Sequence, residues 1–371
     1  MIDACDACLR RALLLAHLAP RIAGLLGSGD RRATGLLALP EDELVAAAAG
    51  RRVERALAFL EALDVEAELE RLRAAGIVAV CAHADAYPRA LGELADPPSV
   101  LFGAGRPEAL GVVAEEPAVT LVGTRRASPY GTEVAYALGR GLGAAGVPVV
   151  SGLALGIDGT AHRGCLDAGG LPVAVVASGP DVVYPRRHRS LHERVRAAGI
   201  VLSELPPGTE PFRWSFPARN RIMAGLARMT VVVEAADPSG SLITAEFAKD
   251  LGRCVAAVPG RVTSTVARGA NNLLKDGATP ISGTEDVLDE LFGVGVRRAP
   301  AAEIADAAGA PEPEDARLRT VLAAAGTHDS VEEIAAATRL TTSEARAALG
   351  RLEADGHLVR RDLGGWERAA R

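Results

Sequence analysis

Two hydrophobic rhythms divide the chain. Over residues 1–75 the apolar positions recur at helical spacing. Leu13, Leu14, His17 and Leu18 share one stripe; Val53, Leu57 and Leu60 form a second at i, i+4 and i+7, continued by Leu63. Between them Pro40 precedes Glu41-Asp42-Glu43, a proline-then-acid helix start. With the Gly27-Ser28-Gly29 turn, this predicts a small helical domain of the SAM or helix-hairpin-helix kind. Some such domains grip DNA backbones, but most small bundles do not.

From residue 76 short valine-rich runs alternate with helical stretches. The runs are Ile77–Cys81, Val119–Val122, Val147–Val150, Val173–Ala177, Ile200–Leu202, Thr230–Val233 and Cys254–Val258. Helices are predicted over Thr132–Ala145, Ser190–Ala198 and Ser241–Leu251. Strands apolar on both sides, alternating with helices, require a parallel sheet covered on both faces. The prediction is an α/β, doubly wound, mostly parallel domain over 76–292. Residues 293–314 read as a linker. In 315–371, Ser330-x-x-Glu333 and Thr341-x-x-Glu344 are capping boxes, each opening a helix. Asp355-Gly356 ends the second, and a hairpin with a Gly364-Gly365 turn follows, completing a winged-helix pattern.

Composition removes several classes. At 49% hydrophobic and 24% charged, most of the 371 residues are too apolar for a disordered chain. No apolar run reaches the ~18–20 residues of a membrane helix. Asp3 and Asp6 upstream of Leu13-Leu14-Leu15 argue against a secretory leader. Five cysteines, an odd number, read as reduced thiols of a cytoplasmic protein. Cys5-x-x-Cys8 is half a zinc site, with His17 and Cys81 as conceivable partners. The preferred reading is two small residues that start a helix, with no metal.

The net charge of −6 excludes an all-over basic coat but not a local basic patch. Ligand sites in open α/β sheets lie beyond the carboxyl ends of the strands. At the first such turn, Gly123-Thr124-Arg125 leads to Ser128-Pro129, an N-cap and first helical residue whose free N–H groups suit a phosphate. An arginine stands where a dinucleotide fold needs glycine. No acid ends the next strand, which runs into Ser151-Gly152, so nicotinamide cofactors are disfavoured. In the second turn Asp158 and His162 are four residues apart, an acid–base pair or, as preferred, a structural contact. Ser239-Gly240-Ser241 is a third helix start with anion-site geometry, equally readable as a plain cap. Asn271 and Asn272 are expected to bond local backbone.

The richest segment is 184–228. It holds nine arginines against Glu193, Glu204 and Glu210, a balance of +6. Tyr184, Phe212, Trp214 and Phe216 interleave with Arg186, Arg187, Arg213, Arg219, Asn220 and Arg221, in a chain only 3% aromatic. Arginines that grip phosphates beside aromatics that stack bases are what a single-stranded nucleic-acid groove needs. Some of these aromatics must be core, Trp214 first among them.

The motifs over 76–292 resemble the DprA/Smf family of DNA-processing proteins. They include Tyr87-Pro88, Asp96-Pro97-Pro98, Gly123-Thr124-Arg125, Ser151-Gly152, Tyr184-Pro185, Phe216-Pro217, Arg219-Asn220-Arg221, Ser239-Gly240-Ser241 and Val258-Pro259-Gly260. The resemblance implies an extended Rossmann-like fold without a cofactor. It also implies a homodimer that binds and protects single-stranded DNA and helps to load RecA recombinase. The family's DNA pocket falls on Gly123, Thr124, Arg125, Arg213 and Phe216, and the DNA-binding candidates further include Ser151, Gly152, Arg186, Arg187, Arg219, Asn220 and Arg221. Thr124 replaces the commoner serine, and His188 stands where asparagine is frequent.

Two other readings stay open. Ser239-Gly240-Ser241 with Thr244 and Glu246 resembles a turn of the Rossmann-like nucleoside monophosphate phosphoribohydrolases, without their full glycine-rich run. The winged helix alone suggests a regulator, although its second helix is charge-neutral where groove-reading helices are basic.

Overall fold

The computed structural model describes residues 1–25, 34–294, 315–325, 330–354, 358–360 and 366–368. The Gly27-Ser28-Gly29 turn, all but the first two residues of the predicted linker, Asp355-Gly356 and the Gly364-Gly365 turn lie outside them. The chain forms two compact units, the larger holding Met1–Leu166 and Gly170–Arg298 and the smaller Asp167–Gly169 and Ala299–Arg371. No described helix is long and apolar enough to cross a membrane.

The larger unit opens with a two-residue strand, β1 (Ile2–Asp3), and then α1 (Asp6–Leu25), α2 (Thr34–Leu37), α3 (Glu41–Ala49), α4 (Val53–Glu61) and α5 (Val65–Ala74). The helical stripe holds: Leu14, Leu18 and Ile22 of α1 are buried against Leu44, Val45 and Leu60. Helix α3 starts directly after Pro40, where the proline–acid pattern places it. This core is not closed on itself. Leu205, Trp214 and Ala218 from beyond the sheet complete it, and the Trp214 Nε1 donates to the Ala19 carbonyl at 3.1 Å.

The ten-stranded sheet follows, built from β2 (Ile77–Cys81), β3 (Val100–Gly105), β4 (Val119–Gly123), β5 (Val149–Ser151), β6 (Pro172–Val175), β7 (Ile200–Ser203), β8 (Met229–Glu234), β9 (Cys254–Ala257) and β10 (Thr279–Pro280). With β1 the order is 1-2-3-7-6-5-4-8-9-10. Strands β7 to β10 in that order are all parallel, while β3 runs antiparallel to both of its neighbours. The helices between them are α6 (Glu108–Glu115), α7 (Pro129–Ala144), α8 (Ile157–Asp167), α9 (Arg189–Ala198), α10 (Ser215–Leu226), α11 (Gly240–Asp250), α12 (Arg268–Lys275) and α13 (Thr284–Phe292).

Both faces of the strands are apolar because both are covered. Val122, Val150, Val173 and Val232 pack with Ile222 and Met223 of α10, while Val119, Leu121, Val231 and Val233 pack with Leu138 and Leu142 of α7. Seven of the ten strands coincide with the predicted runs to within two residues. The three others are β1, β10 and β3. Gly103 breaks the apolar run of β3, not the strand, and for a packing reason: a Cβ there would press on Ile200 Cδ1 at 2.9 Å and on Val78 Cβ at 3.2 Å. The sheet is thus the expected mostly parallel α/β fold.

The smaller unit contains α14 (Ala316–Ala325), α15 (Val331–Thr338), α16 (Thr342–Ala354) and the antiparallel pair β11 (Leu358–Arg360) and β12 (Trp366–Arg368). Both predicted capping boxes form: Ser330 Oγ accepts from the Glu333 N–H, and Thr341 Oγ1 accepts from the Glu344 N–H while the Glu344 carboxylate accepts in return. Leu318, Val321, Ile334, Leu349 and Leu352 form its own core.

Candidate functional site

The chain leaves β4 toward one side and returns through β8 on the other, so a crevice opens at the carboxyl ends between them. The pairing register shifts between Val122 and Gly123, and the Thr124 N–H donates to the Glu234 carbonyl at 2.7 Å. Ser128 caps α7 by accepting from the Gly131 N–H at 3.0 Å. Here the structure corrects the sequence reading. The Glu234 carboxylate accepts from the Ser128 N–H and O–H, both at 2.8 Å. An internal anion therefore already occupies the start of α7, which was expected to offer its free N–H groups to a phosphate. What the turn presents instead is Arg125, which is exposed.

The second turn is built around close approach. Ser151 is fully buried and its Oγ donates to the Leu121 carbonyl at 2.6 Å, so it fastens two strands rather than reaching a ligand. A Cβ on Gly152 would run into the Arg219 guanidinium. Leu153 adopts φ +53°. Its side chain is fully buried and its carbonyl accepts from His188 Nδ1 at 2.9 Å, which holds this unusual backbone in place. His188 therefore supports the turn from behind. Asp158 is buried beneath it, accepting from the Gly152 and Ala154 N–H groups. Burial raises its pKa, opposed by the Arg219 charge. His162 donates from Nε2 to the Val173 carbonyl at 3.4 Å, and burial holds its pKa down to about 4. The spaced acid and histidine are two buried backbone anchors, as the preferred reading had it.

Helix α10 supplies the third wall. Ser215 Oγ donates to the Ala177 carbonyl at 2.6 Å and fixes its first turn. Phe216 is then half-buried at the crevice. The Arg125 guanidinium carbon lies 5.1 Å from the Phe216 ring centroid, and the Tyr184 ring lies 5.4 Å from it at 55°. One turn on, Arg219 donates from Nη1 to the Val175 carbonyl and from Nε to Asn220 Oδ1 at 3.0 Å. Asn220 in turn donates to the Gly240 carbonyl at 3.1 Å. Burial lowers the Arg219 pKa to about 10, with Asp158 pulling it back up, so it remains a cation at neutral pH.

Two adjoining cavities share Arg125, Ala154, Phe216 and Arg219. One extends to Tyr184 and Pro185, the other to Ser239, Ser241 and Thr244. Of the predicted site residues, Gly123, Thr124, Arg125, Gly152, Phe216, Arg219 and Asn220 line them. Arg186, Arg187 and Arg213 are exposed outside the lining.

Arg221 is the second correction. Predicted on the DNA surface, it is 1% exposed and points the other way. Its Nη1 and Nη2 donate to the Glu204 carboxylate at 2.9 and 2.7 Å, and its Nε lies 3.0 Å from Asp96 Oδ2. The Asp96-Pro97-Pro98 and Arg219-Asn220-Arg221 motifs thus meet in a buried ion triad. Asn271 is also reassigned: it bonds both the N–H and the carbonyl of Gly260, eleven residues away, rather than local backbone.

Two contributors were not assigned from sequence. Tyr184 was visible as one aromatic among four in the basic segment and as part of the Tyr184-Pro185 motif, with no role given to it. Thr244 is fully buried, lines the crevice, and its Oγ1 has no hydrogen-bond partner. The serine-glycine turn before it was the available signal.

Residues 78–292 match the family described as DNA recombination-mediator protein A. Protein Smf of Synechocystis is 40% identical over 208 residues, 56% of this chain and 52% of its own length; the chain spans about half the length of the first curated relatives that it matches. The X-ray structure of DNA processing protein A from Streptococcus pneumoniae superposes with a TM-score of 0.61 at 32% identity, covering 77% of this chain and 96% of that one. The structure of DNA processing protein A from Helicobacter pylori, a protein described as having a unique single-stranded DNA binding mode, gives a TM-score of 0.50 at 29% identity, over 55% of this chain and 92% of that one. The family match takes in β3 to β10, all but the first residue of β2 and every wall of the crevice, and on that ground the chain belongs to the DNA recombination-mediator protein A family, the family of DprA and Smf.

Proposed function

We propose that the chain binds single-stranded DNA in the crevice at the carboxyl ends of β4, β5, β6 and β8, as a non-enzymatic partner of recombination. The observation that carries this reading is the stack of Arg125 on Phe216 with Tyr184 beside it. A half-buried aromatic ring lining a crevice beside guanidinium groups takes an unpaired base of any sequence. A paired base is already stacked and is closed to it. Arg219, buried and held from behind by Val175, Asn220 and Asp158, is a fixed cation for a phosphate. Arg186, Arg187 and Arg213 are exposed cations that extend the track. The single-stranded DNA binding mode described for the Helicobacter pylori protein supports the same ligand. By family, the proposal extends to a homodimer that protects incoming strands and assists RecA loading, with no cofactor.

The hydrolase reading rests on Ser239-Gly240-Ser241 with Thr244 and Glu246 in one turn and helix. The structure separates them: Thr244 lines the crevice, whereas Glu246 is exposed and lines a different cavity with Asp237, Lys249 and Asn272. Fluorescence anisotropy with a labelled oligo-dT and a duplex of equal length, across a salt series, tests the proposal. Preference for the single strand with a steep salt slope is expected. Equal or absent binding overturns it.

A further inference from the structure

At the far edge of the sheet, remote in sequence from every crevice residue, three cysteines and a histidine converge. We propose that Cys5, Cys8, Cys81 and His83 form a closed, structural zinc site. Their ligand atoms all lie within 4.8 Å of one another. Cys5 Sγ is 3.6 Å and Cys8 Sγ 3.3 Å from His83 Nδ1, and the Cys5 N–H points at Cys81 Sγ at 3.5 Å.

The fold builds this cluster from two separate strand ends. β1 pairs in parallel with β2, with Ile2 opposite Ala79 and Asp3 opposite Val80. The register sets the chain just beyond Asp3 beside Cys81. Helix α1 starts at once, at Asp6, so Cys5 and Cys8 are one helical turn apart on one side. After β2 a tight turn, closed by the Ala84 N–H on the Cys81 carbonyl at 2.9 Å, brings His83 back over the thiols. The sequence offered Cys81 and His17 as partners for the cysteine pair. The fold supplies Cys81 and His83, and His17 is stacked on Phe59, with ring centroids 4.2 Å apart.

The dimensions select the ion. Tetrahedral zinc has Zn–S bonds of about 2.3 Å and Zn–N bonds of about 2.0 Å, which gives S···N edges of about 3.5 Å. The two S···N distances here bracket that value. Three sulfurs and one imidazole with no carboxylate are a soft donor set that excludes magnesium and calcium. Four protein ligands leave no open position, which marks a structural rather than a catalytic centre. Cys8 and Cys81 are buried, while Cys5 and His83 are exposed at the rim, so the ion has an entry path. Binding releases the thiol protons. Three thiolates leave the centre one negative charge; the cavity beside it is lined by both Arg73 and Asp3.

The effect is a clasp. The ion ties the start of α1, and with it the helix that carries Leu14, Leu18 and Ala19 to Trp214, onto the sheet edge.

The test uses the full chain, purified without chelator under reducing conditions. Expected are one zinc per chain by elemental analysis and, after exchange, a cobalt spectrum with thiolate charge-transfer and tetrahedral bands. His83→Ala, on an exposed turn, should keep the native circular dichroism and single-stranded DNA binding yet lose the zinc and the cobalt spectrum. Chelation should lower the melting temperature of the wild type and leave that of His83→Ala unchanged. A wild type free of zinc that takes up no cobalt, a Cys5–Cys8 disulfide found by mass spectrometry in the zinc-free protein, or full zinc retention in His83→Ala would each overturn the proposal. None of these outcomes bears on the crevice.

Discussion

Helix α10 faces two ways, and its two arginines show the difference. Arg219 and Arg221 stand two residues apart, and both are buried. Arg219 lines the crevice, satisfied by a backbone carbonyl and Asn220, with Asp158 near enough to raise its pKa. Arg221 points into the core and is closed off by two carboxylates, Glu204 and Asp96. A cation already paired with two anions has no charge left for a ligand. A buried cation held mainly by dipoles retains its field at an open cavity. The lesson is that burial alone does not separate a binding arginine from a structural one; what satisfies it does.

The sharpest way to break the contrast is Arg221→Met. It strands two carboxylates in the core and is expected to destabilise the chain by about 3–5 kcal/mol in urea unfolding. Burial already raises the Asp96 pKa to about 6 against the pull of Arg221, so without the arginine part of that loss should return as the pH falls through 6. Loss of single-stranded DNA binding without loss of stability would reverse the assignment of the two faces.

On the crevice side, Phe216→Ala removes the stacking surface. It should weaken oligo-dT binding by about 1–3 kcal/mol, roughly 5- to 150-fold. Unchanged affinity in anisotropy would remove the base-stacking role.

The support beneath the crevice carries a pH signature. The folded-state pKa of His162 is lowered from 6.5 to about 4 by burial. The native state resists its protonation, so its contribution is complete above pH 6.5 and is lost as pH falls toward 4. Between pH 7 and pH 5 this amounts to about 2 kcal/mol. Subtracting the pH profile of His162→Gln from that of the wild type isolates it, and coincident profiles would refute it.

The smallest effect belongs to the rim. Arg186→Ala with Arg187→Ala should leave stability and strand preference intact. Each lost phosphate contact should flatten the salt dependence by about 0.7 in log–log slope. An unchanged slope would place the strand elsewhere.

Much of the fold was legible because its signals are local. Seven strands were readable as valine runs, and the start of α7 was readable from Ser128-Pro129. The capping boxes at Ser330 and Thr341 formed as read. β3 was hidden because Gly103 mimics a breaker, although it is there to admit Ile200 and Val78. Of the residues that line the crevice, Gly123-Thr124-Arg125, Gly152 and Phe216 had been singled out from turn chemistry, from the interleaving of arginine with aromatics and from the family resemblance. Glu234 was invisible as a cap, since it lies 106 residues from the serine it binds. Ser151 was read as a ligand because a hydroxyl beside a glycine turn looks the same whether it faces a cavity or a carbonyl.

By itself the sequence determined the alternation of strands and helices, the placement of glycines at the strand ends and the concentration of positive charge in 184–228. Each follows from side-chain periodicity, backbone steric limits or composition, which need no partner in space. Only the tertiary structure decided which arginine faces the crevice, which carboxylate fills the start of α7 and which histidine joins the cysteine cluster. Those outcomes depend on contacts between residues 17 to 125 positions apart or more on the side to which a helix turns, and helical phase and sheet register fix them only once the chain has closed.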